Sequence, residues 1–274
     1  MPGQSRFADL EPLLDRVQKP IQYVGGELNS QVKDWQCGGH GPGGEELTVR
    51  WALMYPDAYE VGLPNQGVMI LYEVLNERPH VLAERTYAVW PDLEALLRES
   101  GVPQLTVDGH RAVVDFDLFG VSFSTELGYT NMLTALDLAG IPLHAADRDD
   151  THPVVVAGGH SSFNPEPIAD FVDLVVLGDG EEVVSEINRV LSEWKAAGRG
   201  DRREALGVLC SIPGVYVPAA YEATYDGADL VAVEPVWPEA PETVEKRTIA
   251  DLADSDGIET PHMAEAIQYR ARIE

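Results

Sequence analysis

The stretch that most constrains the fold is Pro153–Glu182, PVVVAGGHSSFNPEPIADFVDLVVLGDGEE, where two short apolar runs each end on glycines. Val154–Ala157 is β-branched with no polar interruption. That pattern suits a parallel strand covered on both faces better than a half-exposed antiparallel one. Gly158 and Gly159 end the run; two glycines at the end of a strand permit positive φ and leave no Cβ between the backbone and a ligand. Pro165, Glu166 and Pro167 open a short helix, after which Asp173–Leu177 repeats the run and stops at Gly178, Asp179 and Gly180. Both turns then belong on the carboxyl edge of one sheet, where open α/β sheets bind ligands.

The same unit recurs upstream. Val49–Tyr55 reads as a strand, followed by a long loop and a helix marked by Val68, Leu71, Tyr72 and Leu75, with Asn65 as its N-cap. Ala83–Val89 reads as a second strand, Pro91–Glu99 as a helix, and Leu105–Val114 as an edge strand or a hairpin around Asp108 and Gly109. Asp117–Phe123 is the third strand, with a helix behind it marked by Tyr129, Met132, Leu133 and Leu136 and closed by Gly140. Val183, Ile187, Val190, Leu191 and Trp194 mark the last helix. These five βα units predict a flavodoxin-like open parallel α/β sheet over residues 47–198, with strand order 2-1-3-4-5 and helices on both faces. Its pocket is expected among loops 55–65, 122–127, 158–164 and 178–181.

Residues 1–46 read as an N-terminal arm, an amphipathic helix carrying Phe7, Leu10, Leu13, Leu14 and Val17 and then the glycine-rich loop CGGHGPGG. Residues 199–274 read as a small C-terminal β appendage: a helix over 201–210, short strands over 214–236 turning at Asp226 and Gly227, a stiff linker of Pro235, Pro238 and Pro241, and an acidic, poorly periodic tail from Asp251.

Charge and composition exclude several functions. With 19 Lys and Arg against 46 Asp and Glu, a formal net charge of −27 repels a phosphate backbone, so no direct nucleic-acid partner is expected. No apolar run is long enough to span a membrane and no signal-peptide pattern is present, so the chain reads as cytoplasmic. Cys37 and Cys210 are the only two cysteines; they cannot form a CxxC pair or a four-thiolate metal site, and this chain alone cannot hold an iron–sulfur cluster. Cys37 with His40 is half of a zinc spacing without a second ligand pair, and no metal ligands or catalytic residues are assigned. Gly178-Asp179-Gly180 is a defective dinucleotide fingerprint, and no phosphate loop ending in GK[ST] is present. The run around Ser122 resembles a nucleophile elbow lacking its second glycine, which ranks a small hydrolase last among the readings.

Three sets of residues carry a resemblance: Asp57, Tyr59 and Gly62; Ser122 and Ser124; and Gly158 and Gly159. Each follows its expected strand, as do the D-x-H-x-x-G, S-x-L and G-G pieces of cobalamin-binding domains. The segments YVGGELNS, YPDAYEVGLPNQG, LYEVLNER, ERTYAVWPDLEALLRE, ELGYTNML, LDLAGIPLHAADR and GGHSSFNPEPIADFVD extend it. Over about residues 20–250 the chain resembles the amino-terminal half of an uncharacterised bacterial family of cobalamin-binding-domain radical S-adenosylmethionine proteins. The resemblance implies cobalamin as cofactor, with Asp57, Tyr59, Gly62, Ser122, Ser124, Gly158, Gly159, Gly178 and Gly180 around it.

Two departures shape the expectation. Tyr59 stands where cobalamin-dependent relatives carry a ligating His, and a phenol is a poor ligand at neutral pH; Ser124 stands where they carry leucine. After the segment EKRTIADL, where the family carries a C-x-x-x-C-x-x-C cluster motif and a partial barrel, this sequence runs TPHMAEAIQYRARIE. The expectation is therefore a truncated, frame-altered or split product: a cobalamin-binding-like module whose iron–sulfur cluster and S-adenosylmethionine belong to a separate radical S-adenosylmethionine chain or domain. The alternative is a cofactor-free interaction or substrate-holding module.

Overall fold

The structure, a computed structural model, describes residues 2–37, 48–227 and 229–248. His40, most of the glycine-rich loop and the acidic tail lie outside the described residues. In chain order the elements are α1 (Phe7–Leu14), β1 (Val49–Tyr55), the single turn α2 (Tyr59–Gly62), α3 (Gln66–Asn76), β2 (Val81–Tyr87), α4 (Pro91–Ser100), β3 (Leu118–Ser122), α5 (Tyr129–Ala139), β4 (Val154–Gly158), β5 (Leu174–Val176), α6 (Gly180–Ala196), α7 (Arg202–Cys210), β6 (Val215–Tyr216), β7 (Tyr221–Asp226) and β8 (Asp229–Pro235). The main sheet has the order β2-β1-β3-β4-β5-β6, and β7 with β8 forms a separate hairpin. All pairs from β2 to β5 are parallel, giving the flavodoxin-like α/β architecture. Asn65 does cap α3, its Oδ1 accepting the Val68 N–H at 3.0 Å.

The main sheet has six strands rather than five. Its extra member, β6, comes from the stretch read as an appendage and pairs antiparallel with β5 through Val175↔Tyr216 and Val176↔Val215. Two residues are too few to show a period, and Pro218, which lacks an N–H, follows shortly after. The second strand starts at Val81, earlier than its charged residues suggest, because Glu84 and Arg85 are buried in matched pairs. Arg85 donates to both oxygens of Asp108, and Glu84 accepts from Thr106 and Arg111. The turn at Asp108 and Gly109 lies inside a loop closed by one antiparallel bridge, Leu105↔Ala112.

Strand residues alternate between two cores, as pleating requires. Trp51, Leu53, Leu118, Val154, Val156, Leu174 and Val176 face one way, against Val68, Tyr72 and Leu75 of α3, the apolar stripe of α6, and Leu206 and Leu209 of α7. Met54, Phe119, Val121, Val155 and Ala157 face the other way, against Met132, Ala135 and Leu136 of α5. A satellite core joins α1 to α4 through Leu10, Leu13, Leu14, Leu93, Leu96 and Leu97.

Two aspartates staple the amino edge of the sheet. Asp117 and Asp173 each immediately precede a strand. Each accepts a backbone N–H from the neighbouring strand, Arg50 N at 2.9 Å and Val155 N at 2.7 Å. Cations arrive from α6, α7 and the connection between α5 and β4: Lys195 at 2.7 Å on Asp117, and Arg202 at 3.0 Å and Arg148 at 2.9 Å on Asp173. A buried carboxylate is tolerated only with such pairing and hydrogen bonding. These staples hold the amino edge, while the open carboxyl edge carries the slot described next.

Candidate functional site

Between the sheet and helices α3 and α6, at the carboxyl edge, lies an apolar slot of about 200 Å³. Its floor is β1, β3, β4 and β5, and its walls come from Gly67, Val68 and Leu71 on α3 and Val183, Val184 and Ile187 on α6. The slot exists because glycines leave out side chains along its length. At Gly120, in the middle of β3, a Cβ would come within 3.1 Å of Trp51 and 3.2 Å of Leu53, so those two side chains lean across the strand. At Gly158 a Cβ would meet only Val176, at 4.0 Å, and would otherwise enter open space. A glycine inside a buried strand marks such a close approach.

Five of the nine residues singled out in the sequence line this slot: Ser122, Gly158, Gly159, Gly178 and Gly180. Ser122, half-buried at the end of β3, pairs in register with Gly158 and puts a hydroxyl among apolar walls. The two adjacent glycines do different work. Gly159 adopts φ +92, and a Cβ there would meet the Phe123 carbonyl oxygen at 2.5 Å, so this glycine is required by the turn itself. Gly178, at φ +105, is likewise required, because the backbone of Arg247 crosses it. Arg247 donates its N–H to Leu177 O at 2.8 Å and accepts from Asp179 N at 3.1 Å. Its guanidinium binds Glu182 at 3.1 Å and Glu186 at 2.6 Å on α6. The segment around Arg247 is thus pinned at the lip of the slot.

Asp57, Tyr59, Gly62 and Ser124 are placed elsewhere. Gly62 is buried under Tyr87, and Tyr59 packs edge-on against the same ring with centroids 5.5 Å apart. The Tyr59 hydroxyl donates to the Glu27 carboxylate. Burial first, and that carboxylate second, hold its pKa well above the ordinary phenol value. Tyr59 is thereby committed as a neutral hydrogen-bond donor, a poor state for a metal ligand. Asp57 is exposed, its carboxylate accepting the Ala58 N–H at 2.6 Å, and Ser124 is exposed beyond the end of β3.

The expected loop 55–65 is therefore replaced in the slot by the start of α3. The lining residues Gly67, Leu71 and Gly120 carried weak sequence signals: a glycine inside a strand, and a helix face that reads as ordinary core. Among the described residues no group of three or more His, Cys, Asp or Glu side chains is placed to hold a metal ion. No helix among them is long and apolar enough to cross a membrane.

Residues 67–218, from the first turn of α3 to just past β6, match the family model described as radical SAM proteins, N-terminal. The match takes in Ser122, Ser124, Gly158, Gly159, Gly178 and Gly180 and leaves out Asp57, Tyr59 and Gly62. No curated protein and no solved structure matches the chain.

Proposed function

Since the chain belongs to the family of radical SAM protein N-terminal domains, we propose that it is the cofactor-holding module of such a protein, binding the nucleotide tail of a cobalamin in the slot between the sheet and helices α3 and α6. The observation that carries this reading is the cradle at Gly158, where a missing side chain leaves room over an apolar floor, next to the Ser122 hydroxyl. Trp51, Leu53 and Leu71 would cover the faces of a planar base, and Ser122 would hydrogen-bond its polar edge. Tyr59 does not fit the role of cobalt ligand, so the corrin would lie over the carboxyl edge without a bond from this chain to the metal. When bound, a corrinoid supplies radical or group-carrier chemistry; the residues of this chain bind it, orient it and exclude water from its tail.

Radical SAM chemistry also draws on S-adenosylmethionine and an iron–sulfur cluster. With only Cys37 and Cys210 this chain supplies at most two thiolates, so the cluster would come from another chain or domain. Cys210 is buried against the α7 core, and that burial raises its thiol pKa, so it is a packing residue.

The test is a hydroxocobalamin titration of the parent and of Gly158→Val, followed by visible absorbance and equilibrium dialysis. The parent should saturate in the micromolar range, about −8 kcal/mol, and Gly158→Val should bind at least about tenfold more weakly while keeping its helical circular dichroism. No saturation of the parent by about 100 µM would reject a corrinoid and leave the cofactor-free module.

A further inference from the structure

A second hollow, of about 280 Å³, lies against a different face of α6 and is closed by the connection between α3 and β2. Its chemistry is unusual for this chain, in which acidic residues outnumber basic ones 46 to 19. Arg78 and His80 enter from the connection; Ser185, Asn188, Arg189 and Ser192 enter from α6. Glu193 is its one carboxylate, and it forms an exposed pair with Arg189 at 3.0 Å, the kind of contact that gives way to a competing ligand at little cost.

Asn188 is the informative residue. It is 3% exposed, and its Oδ1 accepts the Trp51 indole N–H at 2.7 Å. Exchanging the amide oxygen and nitrogen would set donor against donor, so Trp51 fixes the orientation. The Nδ2 group is then left without a hydrogen-bond partner from the protein. A buried donor left in that state costs about 1–3 kcal/mol unless a ligand or water accepts from it. Arg78 is held in place, donating to Val74 O and to Ser185 Oγ, each at 2.5 Å. Because the Ser185 oxygen accepts there, its own hydrogen remains to be given.

We propose that this hollow is an oxyanion site that takes a phosphate group, free or as a small phosphomonoester. Asn188 Nδ2, Arg78 and the Ser185 and Ser192 hydroxyls supply donors, and Arg189 supplies charge when it exchanges Glu193 for the ligand. The site is separate from the slot and stands independently of what the slot binds.

The experiment is isothermal titration of the full chain in phosphate-free buffer with inorganic phosphate and, in a second arm, methyl phosphate. Saturable binding in the millimolar range or tighter is expected, with the tighter arm identifying the source of the group. Asn188→Asp keeps the acceptor for Trp51 but turns the free donor into a carboxylate, and should weaken binding at least about tenfold. Arg78→Gln and Ser192→Ala should weaken it about tenfold and about threefold. Should Asn188→Asp fail to fold, the other two variants decide by the same criterion. A parent that does not saturate by about 20 mM of either probe overturns the proposal, as does binding within about twofold of the parent in all folded variants.

Discussion

Replacing each of the two adjacent glycines at the end of β4 with alanine should give opposite results. At Gly159 the backbone sits at φ 92 and ψ 178, a region almost closed to L-residues and costing about 1–3 kcal/mol. The new Cβ would also lie 2.5 Å from the Phe123 carbonyl oxygen, so the turn must move. That oxygen accepts from Ser161 N at 3.1 Å, and Phe123 N donates to Gly158 O at 2.7 Å. Losing one or both of these bonds adds about 1 kcal/mol each, for a total of about 2–5 kcal/mol. At Gly158 the added Cβ meets only Val176 at 4.0 Å, in a strand conformation that alanine accepts. The smaller freedom of the unfolded chain then makes Gly158→Ala neutral or up to about 1 kcal/mol stabilising. Urea unfolding followed by tryptophan fluorescence, to which the buried Trp51 contributes, measures both variants, with slopes checked for equality. Gly159→Ala within about 0.5 kcal/mol of the parent, or a loss at Gly158 as large as at Gly159, would refute this division of labour.

Asp173→Ala leaves the buried guanidinia of Arg148 and Arg202 without their shared carboxylate and should cost about 3–5 kcal/mol in the same unfolding assay. His110, against Phe7 and Tyr23 O, has its pKa lowered mainly by burial. Its folded state binds fewer protons than the unfolded chain, so its contribution is complete above the ordinary histidine value of 6.5 and is lost as pH falls through the lowered one. Stability measured between pH 7.5 and about 5 should fall more steeply for the parent than for His110→Gln, and equal slopes would contradict the assignment. Arg247→Ala removes two partly exposed ion pairs and should raise thermolysin cleavage of the segment before Thr248 roughly two- to fivefold, leaving global stability within about 1 kcal/mol.

Much of the fold can be read from local pattern. Val154–Ala157 announces a buried parallel strand because its apolar run is unbroken, and Asn65 announces the start of α3 because its side chain accepts the N–H three residues on. What escapes is carried by long-range pairing. Glu84 and Arg85 look like surface residues until Arg111 and Asp108 neutralise them, and Asp173, which opens an apolar run, gives no sign of the two arginines that converge on it. The slot divides in the same way. Ser122, Gly158 and Gly159 follow visible strand ends, whereas Tyr59 meets Glu27, 32 residues away, and no spacing rule connects them. Leu71 and Gly120 are part of the slot only because α3 and α6 stop short of closing over the sheet there, which is a matter of packing rather than of period.

The bridge between Gly178 and Arg247 makes the lip of the slot an anchor point. Arg247 itself is moored beside that opening, so a group tethered to this segment would meet the slot at a concentration set by tether length rather than by the bulk solution, in the millimolar range for a short tether. The same residue is tied to α6 through Glu182 and Glu186, so a displacement of this segment would be felt first at the junction of β5 and α6.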